Sequence, residues 1–99
     1  MAYKIVWTKK ALASFENILD YLQKEYDANT ASEFAQKVYH TLELLAEFPQ
    51  MGSVEVKSKN IRGFLITKQT RLFYRLKVKV ENITLLNFFD TRQDSSKKF

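Results

Sequence analysis

The cations Arg71, Arg75, Lys77 and Lys79 fall on one parity of a stretch, residues 70–80, in which apolar residues fill the other. Read as a strand, a period of two puts Leu72, Tyr74, Leu76, Val78 and Val80 on one face and Arg71, Phe73, Arg75, Lys77 and Lys79 on the opposite one. The apolar set demands a core. The cationic set repels itself unless an anion or solvent screens it. A guanidinium stays charged and presents a planar fork to carboxylate or phosphate, so the chemistry on offer is recognition of negative charge. The chain has no cysteine, which rules out disulfides and thiolate metal sites. Its single histidine, His40, falls midway along a helical segment, where it reads as a surface residue without a role.

The charge is unevenly placed. Residues 1–49 hold five lysines, no arginine and seven acids, a net of −2. Residues 50–99 hold seven lysines, all four arginines (62, 71, 75 and 92) and four acids, a net of +7. This asymmetry favours a polyanionic partner, nucleic acid or an acidic protein segment, although a solvated basic surface that aids solubility would account for the charge equally well. A length of 99 residues with 45% apolar and 27% charged content gives one folded domain with a single core. The opening residues "MAYKIVWTKK" lack the apolar region of a signal peptide, and no apolar run approaches about 18 residues. The expectation is a soluble cytoplasmic protein with no membrane association.

The elements that would position these cations are set by periodicity. "YKIVWT" (3–8) alternates as a short strand, with Tyr3, Ile5 and Trp7 to one side and Thr8 placed to cap a first helix. From Lys9 to about Tyr26, Leu12, Phe15, Ile18, Leu19, Leu22 and Tyr26 recur at helical spacing. "TASE" (30–33) reads as a capping box, Thr30 with Glu33, opening a second helix to about Phe48. Its stripe is Phe34, Val38, Leu42 and Leu45, and Pro49 stops it, with Gly52 for the turn. A linker of about three or four residues makes the two helices an antiparallel hairpin. The second half is β: one or two strands in 54–67 with a break near Ser58–Asn60, a turn, the strand 71–80, a hairpin turn at Glu81–Asn82, and "ITLLNFFD" (83–90). That last strand is apolar on both faces, with Ile83, Leu85 and Phe89 one way and Leu86 and Phe88 the other, so it belongs inside the sheet. The fold class is α+β, in the order β-α-α-β-β-β, with the helix hairpin on one face of a small, mostly antiparallel sheet. Arg71, Phe73 and Arg75 then line the open face.

In this order, "PQMG" (49–52), "IRGFLI", "TRLFYRL" and "LLNFFDTRQD" resemble the RelE/ParE superfamily of bacterial toxins from type II toxin–antitoxin modules, over nearly the whole chain. The resemblance implies one of two activities. RelE-like members cleave mRNA in the ribosomal A site; ParE-like members poison DNA gyrase. Arg71 and Arg92 match the two arginines that act on the scissile phosphate in RelE-like nucleases, and Lys57, Lys59 and Arg62 fall near further basic residues of that site. Such a site needs no cofactor or metal, because the RNA 2′-OH is the nucleophile. The protein orients it and stabilises the added charge on phosphorus.

A proton-transfer group would assist, and RelE-like nucleases carry a Tyr or His near the C-terminus for it. Here "QDSSKKF" comes after Arg92, with Phe99 near that place, and Tyr74 is on the core face. The reading therefore leans to a ParE-like gyrase poison, with a RelE-like ribosome-dependent endoribonuclease as the alternative and an inactive basic binding module as the third. Lys57, Lys59, Arg62, Phe73, Arg75 and Asp90 are the candidate binding residues. Asp90 either orients an arginine or caps the turn after it, and Arg92 has Asp90 and Asp94 as surface ion-pair options. The resemblance also implies an antitoxin, smaller and partly disordered. The basic half suggests that the segment it contributes is acidic.

Overall fold

The computed structural model describes residues 2–91. The elements are β1 (Lys4–Trp7), α1 (Lys9–Glu25), α2 (Ala28–Glu47), β2 (Ser53–Val56), a short 3-10 helix (Lys57–Lys59), β3 (Ile61–Leu65), β4 (Thr70–Lys77) and β5 (Asn82–Asp90). They form one five-stranded sheet in the order β1-β5-β4-β3-β2, with the helix hairpin on one face. β2 through β5 are antiparallel neighbours, whereas β1 lies parallel to β5, with Lys4 opposite Asn82 and Trp7 opposite Leu85. Neither helix is long and apolar enough to cross a membrane.

Local sequence sets the helix ends. Thr8 is extended and its hydroxyl accepts from the Ala11 amide at 3.0 Å, the expected cap of α1. The second helix starts earlier than the capping-box reading placed it. Asp27, not Thr30, is the N-cap, and its Oδ1 accepts from the Thr30 amide at 2.7 Å. A carboxylate at the positive end of a helix outbids a hydroxyl three residues on. The linker thereby shrinks to Tyr26 and Asp27.

The core lies between the hairpin and one sheet face. Phe15, Phe34, Val38, Leu42 and Leu45 meet Leu72, Tyr74, Leu76, Ile83, Leu85 and Phe88. Phe15 is the hub, its ring centroid 5.5 Å from those of Trp7 and Phe88 and 6.1 Å from Phe34. Each such buried side chain contributes about 1.5–3 kcal/mol. Leu12 and Tyr26, assigned to the α1 stripe from spacing, are exposed, and Ala11 takes the buried place.

Two expectations for the β half need correcting. β4 ends at Lys77, and Val78 and Val80 lie in the turn, 53% and 62% exposed, rather than against the helices. The left-handed residue of that turn is Glu81 (φ 52), and Asn82 already pairs with Lys77. In β5 a register shift opposite Phe73/Tyr74 leaves Leu86 unpaired, so parity flips. Phe88 therefore joins the core beside Leu85, while Phe89 turns to the open face and packs on Phe73.

Candidate functional site

The open face is built around Arg71. Its Nη2 lies 2.8 Å from Glu55 Oε2 and 2.7 Å from Ser53 Oγ, and Nε donates to the same Glu55 oxygen at 3.2 Å. Glu55 reaches it because β2 is irregular at this residue: Val54 pairs with Arg62 and Val56 with Ile61, leaving Glu55 as the extra residue. Such a bulge re-aims a side chain. Gly63 makes the space, since a Cβ there would stand 2.7 Å from Arg71 Nε and 2.9 Å from Glu55 Oε2. The Arg71 guanidinium also sits 6.0 Å from the centroid of Phe73, which is buried on this face with Ile61 and Phe89.

Arg62 is not part of this group. It pairs with Tyr74 in register and so points to the helix side, where Nη1 donates to the carbonyls of Gly52 (2.8 Å) and Gln50 (3.2 Å). Tyr74 completes that clamp: its hydroxyl donates to Pro49 O at 2.9 Å and accepts from the Gly52 amide at 3.0 Å. Burial raises the phenol above its ordinary value, opposed by the Gly52 hydrogen bond and the Arg62 charge. Gly52 is required for space rather than for an unusual φ, because a Cβ would meet the Tyr74 hydroxyl at 2.6 Å and Gly63 O at 2.8 Å.

The other candidates divide between the two ends of the sheet. Arg75 faces the open side opposite Ile61 and Thr84, four residues along β4 from Arg71 and so roughly 13 Å away. Lys57 and Lys59, in the 3-10 helix that precedes β3, belong to the Arg75 end. Asp90 pairs with Thr70 at the Arg71 end, half-buried. Arg92 lies outside the described residues. Arg71 and Phe73 are thus brought together; Lys57, Lys59, Arg75 and Arg62 are not brought to them.

Sequence reasoning missed a groove of about 1130 Å³ between the hairpin, the turn before β4 and the end of β5. Its walls include Lys10, Ser14, Tyr21, Phe34, Lys37 and Asp90. The signal was present as a second stripe at helical spacing, Lys10-Ser14-Asn17-Tyr21 on α1 and Thr30-Glu33-Lys37 on α2, beside the core stripe. A groove this large and open fits a segment of a macromolecule better than a small ligand.

Comparison with known proteins agrees with this architecture. Residues 5–95 match the family model described as the ParE toxin of the type II toxin–antitoxin system parDE. Toxin ParE1 of Caulobacter vibrioides is 26% identical over 80 residues, 81% of this chain and 83% of the relative. The structure of a chromosomal ParDE toxin–antitoxin system from P. aeruginosa superposes with a TM-score of 0.72 at 19% identity, covering 90% of this chain and 96% of that one. A chain of the intact E. coli RelBE toxin–antitoxin complex gives 0.58 at 12% identity, over 93% and 100%. With the family model spanning nearly every element of the sheet and both helices, the chain belongs to the ParE toxin family of type II toxin–antitoxin systems.

Proposed function

We propose that this toxin inhibits growth by binding DNA gyrase, and that an acidic antitoxin segment silences it by occupying the groove beside the helix hairpin. The observation that carries the gyrase reading over the nuclease one is the ion pair of Arg71 with Glu55. The guanidinium that matches a phosphate-binding arginine is already engaged by a carboxylate. A scissile phosphate would have to displace that carboxylate, and a carboxylate left beside it would oppose the charge that builds on phosphorus in the transition state. Tyr74, with its hydroxyl tied to Pro49 and Gly52, offers no proton at that face.

For the antitoxin, Tyr21, Leu22 and Phe34 suit the apolar side of an amphipathic segment and Lys10 and Lys37 suit acidic residues flanking it, with Glu33 and Asp90 on the same walls for basic ones. The RelBE relative is a toxin–antitoxin complex, which supports a partner of this kind. Gyrase supercoiling and mRNA integrity in a translation extract, measured side by side with the purified toxin, test the reading. Supercoiling falls at micromolar toxin, recovers on addition of the antitoxin, and mRNA stays intact. Untouched supercoiling would overturn the gyrase proposal, and A-site cuts lost in Arg71→Ala would establish the nuclease instead.

A further inference from the structure

The end of the sheet away from Arg71 carries a second basic cluster that neither the Arg71–Glu55 pair nor the helix groove uses. A shallow cleft of about 680 Å³ opens between the 3-10 helix and the β4–β5 turn, lined by Lys59, Asn60, Arg75, Lys77 and Lys79 among others. Four of its lining residues are cations and none is an acid. Register puts a further cation on the same face two strands away, since Lys4 and Lys77 both pair with Asn82. Glu81, exposed at the tip of the turn, is the acid nearest in sequence.

Arg75 gives the cleft its direction. Its Nε is buried and has no hydrogen-bond partner among the described residues. That part of the guanidinium has left water without gaining an acceptor, and Arg75 also lines the cleft, where an anion would meet its charge. Arg75 and Lys77 are two residues apart on one face, roughly 6.8 Å, a separation comparable to that of neighbouring phosphates along one nucleic-acid strand. No aromatic residue lines the cleft, so it offers nothing on which an unpaired base could stack. β4 is paired on both sides, so it offers no free edge to an added peptide strand.

We propose that this end of the sheet grips the phosphate backbone of duplex DNA, without reading its sequence, through Lys59, Arg75, Lys77 and Lys79. Contact is to phosphates alone, with Val78 and Val80 covering sugar edges at the rim. The site works independently of gyrase inhibition, which has its own assay.

The test is anisotropy of a short labelled duplex of mixed sequence with the full chain across a salt series. Four phosphate contacts give a slope of log K against log salt of about −3 to −4. Lys77→Gln with Lys79→Gln, both at exposed positions, flattens the slope by about 2 and weakens binding by about tenfold or more at low salt. Arg75→Gln weakens it independently. The charge-matched control Lys9→Gln with Lys24→Gln, on the helix side, retains the parent affinity. The proposal is overturned by no binding at low salt, by equal loss in the control, or by tighter binding of single-stranded RNA or a poly-glutamate peptide than of the duplex.

Discussion

A single carboxylate oxygen of Glu55 accepts from both Nε and Nη2 of Arg71, at 3.2 and 2.8 Å, over the bare backbone of Gly63. The pair is part-exposed, so its own contribution is about 1–2 kcal/mol. Glu55→Ala should lower stability to urea by that amount. Gly63→Ala should cost about 1–3 kcal/mol, because the new Cβ pushes the pair aside. The double variant should lose less than the sum, since the second change removes a contact already displaced.

Tyr74 gives the fold a loss of stability in alkali. Its phenol is raised above the ordinary 10.0 by burial, so the folded state disfavours the phenolate. The stabilisation is complete below the unfolded value and is lost as pH rises through the higher folded one. Urea midpoints measured on either side of that range should fall for the parent chain and stay flatter for Tyr74→Phe. At neutral pH the same variant should cost about 1–3 kcal/mol, with the Gly52 amide and Pro49 carbonyl left unpaired.

The bulge in β5 is held by α1. Ser14 Oγ accepts from the Phe88 amide at 3.0 Å while donating to Ala11 O, and Thr8 Oγ1 donates to Leu85 O at 2.8 Å. Ser14→Ala should lower stability by about 1–2 kcal/mol and speed hydrogen exchange at the Phe88 amide.

Reversing the two groove lysines should slow capture by an acidic antitoxin. Lys10→Glu with Lys37→Glu should reduce the association rate roughly tenfold at low salt, with the difference shrinking as salt rises. Stopped-flow mixing at two ionic strengths reads this directly; equal rates would count against an electrostatic approach.

Much of the fold was legible because long apolar periods dominate it. Phe34, Val38, Leu42 and Leu45 all reach the core, as do Leu72, Tyr74 and Leu76. Errors arose where one residue changes parity or competes locally. The unpaired Leu86 moved Phe88 and Phe89 to opposite faces from those assigned, and a carboxylate at Asp27 took the cap from Thr30. The site was less legible. Alternation along β4 correctly put Arg71, Phe73 and Arg75 on one face, but alternation alone cannot show that Arg62, on the neighbouring strand, turns to the other. Nor does it reveal that Glu55, carried on a bulge, claims Arg71.

The parallel seam between β1 and β5 ties Lys4–Trp7 to Asn82–Leu85, so residues translated early wait for residues translated late. A nascent chain stopped before β5 has no seat for β1 and lacks Ile83, Leu85 and Phe88 from its hydrophobic interior. Any activity that depends on this fold is thus withheld from a half-made polypeptide until β5 has been made.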